Sequence, residues 1–431
     1  MKLRHIKKRD LRFAKMIEKH NFDIIGYFAP TNLEKACDQF LKNPKKAPYF
    51  KFECPFSKTE VQRWITEVQN IREQILRSKM DKALLLLYMR AIDDIFDSYH
   101  MLLAFLKKDD AEFYRYSSKI YGRPTIVDTL LEARLFSDIR QKITSKKKAF
   151  DDLPYANDKL EPLDAEKFTA FLKKAMQYYT KKFGITVNIE IGDDNIIPNV
   201  SMGGEAIYFQ IPKNTLLDPF EALSLFFHEI EGHALKRANA VFSPYQILEE
   251  GTKGFLTLDE GIAMYREVSM MKKFFHVAED FDMNISNLVL SRIAKGDDFV
   301  KIFEVLRMLQ FEKEDAFYSA SRFFMGIHSP GNTKGYSFTR DYVYEFGYNL
   351  VSEYLASGED ICWLYQGLIG FPEVDILRLL NIPATILPAT EPQYYENLID
   401  FLGIPRKMTY VKKHRGHHTA HVFQHKKRRH S

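Results

Sequence analysis

The sequence predicts an α+β protein, rich in helix, with a small antiparallel sheet beside one central helix and an N-terminal helical region. Three observations carry this. Through the first 150 residues, apolar positions recur at helical spacing. Residues 185–191 and 204–212 read as strands. From Glu260 to about residue 405 the helical spacing resumes.

Taken in order, residues 59–76 (TEVQRWITEVQNIREQIL) and the stretch from Asp81 to Leu106 place apolar side chains on one face and charges opposite. ALLLLYM at 83–89 is the longest apolar patch, but Arg90, Asp93 and Asp94 follow it. It reads as a buried helix. No run of about 18 uncharged apolar residues exists, so no membrane span is expected. Residues 144–163 mix charge, proline and asparagine without periodicity, the composition of a linker. Asp164 caps a helix ending at Gly184, and ITVNIEI at 185–191 alternates as a strand does. GEAIYFQIP at 204–212 is a second strand, stopped by proline. Asp218-Pro219-Phe220-Glu221 then supplies an N-cap, a proline at the first helical position and a capping-box glutamate. The helix it opens runs from about Pro219 to Ala238. The expected divisions are an N-terminal helical region at 1–150, a catalytic domain at 151–410 and a tail at 411–431. There is no internal repeat.

The chemistry is concentrated in His228-Glu229-Ile230-Glu231-Gly232-His233, with Leu258-Asp259-Glu260-Gly261-Ile262-Ala263 downstream. Two histidines around a glutamate, followed by a further carboxylate, are the components of a hydrolytic zinc site. Such sites take three His or Asp/Glu ligands and keep a fourth position for water. Glu229 is then the general base that takes a proton from that water. The spacing needs a physical account. Histidines four apart lie roughly 40° apart on an α-helix, whereas five apart they splay by roughly 140°. One metal takes both only if the helix absorbs an extra residue, as a π-bulge does. Gly232, a poor helix former, is placed to ease that distortion. A strand beside such a helix is a usual metallopeptidase arrangement, because an extended peptide can pair with its edge. The alternative is a buried helix whose histidines hydrogen-bond to Glu231 or Asp259.

These segments resemble the microtubule-associated tyrosine carboxypeptidases and their bacterial relatives with a QEGLA motif. HEIEGHALKRANA is similar to that family's HExxxH segment, and TLDEGIA stands where the family has QEGLA or EEGLA. Residues 336–347 (YSFTRDYVYEFG) and NPKKAPYFKFECP near the N-terminus are similar to further family blocks. The resemblance runs from about residue 33 to 410. It implies a zinc metallopeptidase-like catalytic domain, with one zinc per chain on His228, His233 and Glu260, and Glu229 as base. Asp259 and Ile262 depart from the motif without removing a ligand. Met325, in RFFMGI, stands where the family tends to show a second arginine, which bears on substrate preference.

A carboxypeptidase must hold a free C-terminal carboxylate, and arginine does this best. On family grounds Arg322 and Arg340 are the candidates, with helix-face salt bridges as the alternative. Tyr344 can donate its phenol to a developing oxyanion, or be a core aromatic. His328, in the loop MGIHSPGNTKGYSF, can contact substrate or be an ordinary loop residue. Glu267 lies seven residues after Glu260, on the same helix face, where it can orient a ligand.

Cys37, Cys54 and Cys362 are too few and scattered for a disulfide framework, which suits a reducing compartment. The basic N-terminus has no apolar core, so the expected location is cytoplasmic. Residues 412–431 hold seven Lys/Arg and six His with no acid; taking seven from the chain's +5 leaves about −2 for the rest. A tail of this composition cannot pack a core and is expected to be disordered. It is either a solvated terminus or a tether for nucleic acid, an anionic surface or an acidic protein. The reading that results is a zinc carboxypeptidase acting on a protein or peptide C-terminus, plausibly tyrosine or another aromatic, with a tubulin-like acidic tail implied by the resemblance alone. The alternatives are a zinc aminopeptidase or dipeptidyl peptidase, and a non-catalytic binding protein that works through its basic tail.

Overall fold

The computed structural model describes residues 10–124, 134, 136, 137, 140, 141, 160–192, 199–203, 206–277, 285–405 and 409–410. The basic tail at 411–431 and most of the expected linker lie outside the described residues. The helical α+β class is borne out.

The N-terminal helices are α1 (Leu11–Glu18), α2 (Leu33–Lys42), α3 (Lys58–Leu76), α4 (Lys82–Lys107) and α5 (Asp110–Tyr121). Local chemistry sets their starts. Ser57 and Glu60 form a capping box for α3, and the Asp81 side chain accepts from the Ala83 and Leu84 amides at the start of α4. The patch at 83–89 is part of α4, with Leu84, Leu87 and Tyr88 buried. No described helix is long and apolar enough to cross a membrane.

After α6 (Ala165–Phe183) come β1 (Thr186–Gly192), β2 (Asn199–Gly203) and β3 (Ala206–Pro212). Asp164 caps α6 through the Lys167 amide, and Gly184 closes it in the left-handed region with φ 79°, as the sequence predicts. The sheet order is β1-β3-β2. It is mixed rather than wholly antiparallel: β2 and β3 form an antiparallel hairpin, while β1 runs parallel to β3. Period-two alternation reports a half-buried strand but not its direction, so this parallel pair has no sequence signal. β2 is an edge strand and packs beside the helix that carries the histidines.

Then follow α7 (Pro219–Leu225), a π-helix (Phe226–Ala234), α8 (Leu235–Val241), α9 (Ile247–Glu250) and α10 (Phe255–Phe274). The remaining helices are α11 (Ile285–Ala294), α12 (Phe299–Met308), α13 (Lys313–Phe323), α14 (Tyr342–Ala356), α15 (Val374–Leu380) and α16 (Pro392–Phe401). One apolar cluster reaches from Ala14 to Ile404. Aromatic contacts knit its early and late parts: Phe40 meets Phe303 at 4.8 Å between ring centres, and Phe28 meets Phe338 at 5.9 Å.

At the centre, α10 is clasped between the π-helix and α14. Glycines permit this. A Cβ on Gly232 would meet the Ala263 Cα at 2.5 Å, and one on Gly261 would meet the Gly347 carbonyl at 2.5 Å. Gly232 therefore serves close helix approach, a role additional to the easing of helix distortion expected from the sequence.

Candidate active site

The motif helix begins as expected. Asp218 accepts from the Glu221 amide, Glu221 reaches back to the Asp218 amide, and Pro219 occupies the first turn. Where five-residue spacing demands an extra residue, the backbone is π-helical over nine residues, Phe226–Ala234. The Leu235 amide donates to the Ile230 carbonyl, five residues back. In that register residues five apart come back to the same face. His228 and His233 thus share one face, their ring centres 5.0 Å apart.

Glu260, in the second turn of α10, completes the group. Its Oε2 lies 3.7 Å from His228 Nε2 and 3.6 Å from His233 Nε2. One donor atom from each of the three falls within 4.8 Å of the others. A tetrahedral zinc with bonds of about 2.1 Å needs ligand atoms about 3.3–3.4 Å apart, so the group fits such an ion after a small contraction. Both Nδ1 atoms are engaged elsewhere, which leaves the Nε2 atoms facing the common point. His228 Nδ1 lies 3.1 Å from Glu267 Oε2, and His233 Nδ1 lies 3.0 Å from Asp259 Oδ2. Hydrogen bonds of this kind fix the tautomer and ring orientation of a metal-binding histidine. Glu267 is itself held by the Ser224 hydroxyl at 2.6 Å, and Asp259 by the buried Lys236 ammonium at 3.3 Å.

The electrostatics agree. Burial pushes the His228 imidazole down, but bonds to Glu260 and Glu267 outweigh it and hold it at about 9. Burial likewise opposes charge on His233, and Asp259 with Glu260 reverses this, raising it well above its ordinary value. Glu260 is driven well below the usual carboxylate range: burial would raise it, and the two histidines overcome that. A centre that attracts protons this strongly also attracts a cation, which must displace them.

The other expected residues separate into two sets. Glu229 follows His228 in the π-helix, is buried, and its charge acts on the His228 imidazole. Tyr344, on α14, has its phenol raised by burial first and by the charge of Glu260 next, so it lies within electrostatic reach of the same group. Arg340, just before α14, also feels Tyr344 and Glu260, which outweigh the burial that opposes its charge. Its Nε and Nη1 are buried without a hydrogen-bond partner among the described residues. Arg322 differs: Asp341 grips it through Nε at 2.6 Å and Nη2 at 2.7 Å. His328 sits against the N-terminal helices, its amide donating to Asp110 at 2.9 Å and its ring 5.2 Å from both Phe52 and Phe105. None of these contacts is with the His228, His233 and Glu260 group. Sequence reasoning left Lys236 unnoticed, although its place three residues after His233 puts it on a neighbouring helix face.

Two histidines and a glutamate thus converge, on a helix-rich α+β scaffold, into a group that could hold a metal ion. The sequence profile of the family described as microtubule-associated tyrosine carboxypeptidase matches residues 38–408. The chain belongs to that family, and is by that membership a carboxypeptidase. No curated protein sequence matches it. Among solved structures, Trypanosoma cruzi metallocarboxypeptidase 1 is 13% identical, with 90% of this chain and 97% of that one covered at a TM-score of 0.39. The M32 carboxypeptidase from Deinococcus radiodurans R1 is 12% identical, covering 91% and 99% at 0.38. A Pyrococcus furiosus carboxypeptidase is 11% identical, covering 91% and 99% at 0.37. These TM-scores mark a loose likeness.

Proposed function

We propose that the chain is a zinc carboxypeptidase that releases a C-terminal tyrosine or similar aromatic residue from a protein. The observation that carries it is the convergence of His228, His233 and Glu260 donor atoms within 4.8 Å of one another, beside Glu229. Zinc held by those three would polarise the scissile carbonyl and acidify a water. The remaining steps fall to the chain's own groups. Glu229 takes the water's proton on its carboxylate and passes it to the leaving amine nitrogen. The Tyr344 hydroxyl donates to the carbonyl oxygen as negative charge develops there. Arg340, whose Nε and Nη1 are buried without a hydrogen-bond partner among the described residues, offers its guanidinium to the free C-terminal carboxylate, a charge that distinguishes the end of a chain from an internal bond. Arg322, neutralised by Asp341, supports the segment that carries Arg340. The edge of β2 is placed to pair with the extended residues before the scissile bond.

The family's description makes a tubulin C-terminus, and hence the cytoplasm, the natural setting. The test is the set of residues released from a C-terminally diverse peptide library, with and without a zinc chelator. Free tyrosine should dominate, and chelation should abolish its release. Release of N-terminal residues or dipeptides would replace this reading with an aminopeptidase.

A further inference from the structure

A π-helix is a rare arrangement, and something must hold this one in register. Glu231 sits in its middle, two residues before His233, with no exposed surface. A lone buried carboxylate is expensive unless several donors meet it. Here three do. Tyr179 on α6 donates its hydroxyl to Oε1 at 2.6 Å, Tyr395 on α16 shares its hydroxyl proton between the same oxygen at 3.0 Å and the Ala389 carbonyl at 2.5 Å, and Arg266 on α10 donates to Oε2 at 2.5 Å. Arg266 also reaches the Tyr395 hydroxyl at 3.1 Å, which closes the network.

The main chain of Glu231 is held as well. Hydrogen bonds five residues apart must give way to bonds four apart where the π-helix meets α8, and that change leaves a carbonyl to be supplied from outside. The Leu235 amide returns to Ile230. The next carbonyl is that of Glu231, and the buried Tyr365 hydroxyl donates to it at 2.7 Å. Three tyrosines and an arginine, drawn from positions 35 to 164 residues away in sequence, therefore converge on one residue.

We infer that Glu231 is a positioning residue: its carboxylate, held by Arg266, Tyr179 and Tyr395, and its carbonyl, held by Tyr365, clamp the π register that returns His233 to the side of His228. This inference concerns the backbone that presents the histidines. It rests on the proposed metal site only for its second readout.

The test uses the full chain in four forms: wild type, Tyr365→Phe, Glu231→Gln and Tyr88→Phe. The last removes an equally buried hydroxyl that serves Asp10, remote in the network from the π-helix. The first readout is amide hydrogen exchange of the 226–236 segment in metal-free protein. Exchange should rise at least ten-fold in Tyr365→Phe and Glu231→Gln and stay at the wild-type rate in Tyr88→Phe. The second is the visible absorption of bound Co²⁺ together with Zn²⁺ affinity. The two clamp variants should show an altered band and about ten- to hundred-fold weaker affinity, the range typical of lost support around a ligand. Wild-type exchange in both clamp variants, or an equal rise in Tyr88→Phe, overturns the clamp. A wild type that binds no metal overturns the zinc reading instead, while the exchange result still decides the clamp.

Discussion

Replacing Gly232 with alanine tests the packing that brings Glu260 to the histidines. The added Cβ would lie 2.5 Å from the Ala263 Cα and 2.7 Å from its Cβ. Ordinary carbon contacts need at least about 3.5 Å, so α10 must retreat from the π-helix by about 1 Å. Overpacking of this kind costs about 1–3 kcal/mol. Alanine's better helix propensity returns up to about 1 kcal/mol. The net expectation is a loss of about 0–3 kcal/mol, a modest effect on stability. The effect on chemistry is larger, because Ala263 is three residues from Glu260 on the same rigid helix. A displacement of about 1 Å at a reacting centre can lower turnover about 10²-fold. Urea unfolding, zinc affinity and turnover of a tyrosine-ended peptide should be measured beside Gly192→Ala, whose Cβ meets nothing within 4 Å. The control should behave as wild type. A Gly232→Ala protein that is more stable than wild type, with full zinc affinity and turnover, would mean that the glycine merely relaxes the helix.

His233→Ala should lose most bound zinc by elemental analysis while remaining folded; undiminished stoichiometry would remove it from the ligand set. Arg340→Met should raise KM for free C-termini, by about ten-fold or more for a lost charged hydrogen bond of about 1.5–3 kcal/mol. Amidated peptides, which lack the carboxylate, should lose nothing further, and equal losses on both would deny Arg340 that contact. Glu345 offers a pH test: burial pushes its carboxyl from 4.5 up to about 7, against bonds from Asn287 that lower it. A folded value above the unfolded one means that stability is fully present below about 4.5 and is lost as pH rises through about 7. Glu345→Gln should therefore raise the melting temperature at pH 8 and leave it nearly unchanged at pH 4, the difference amounting to at most about 3 kcal/mol; a uniform shift at both values would exclude the titration.

What the sequence disclosed was mostly local. Asp164, Gly184 and the Asp218-Pro219-Glu221 cap mark helix ends because capping is a contact over two to four residues. The π-helix was legible because two histidines five apart can share an ion only if the helix accommodates them. What stayed hidden was non-local. The parallel pairing of β1 with β3, Tyr179 and Tyr395 on Glu231, and Arg322 with Asp341 join residues that no short pattern relates. At Gly232 the close approach of Ala263 is likewise invisible in the sequence, because a sequence does not display the helix that leans on it.

Glu229→Gln separates the chemistry from the scaffold. The amide keeps the shape of the side chain but cannot accept a proton at neutral pH. Loss of general-base assistance typically lowers a rate about 10²–10⁴-fold. Glu229 is not one of the three residues whose donors converge, so zinc content should stay at the wild-type level. The comparison is turnover of a tyrosine-ended peptide at matched zinc content. Near-normal turnover in the variant would assign the proton transfer to another group even with the metal in place. If neither protein cleaves a free C-terminus but the wild type cuts a blocked or internal bond, hydrolysis stands and recognition of the carboxylate by Arg340 falls.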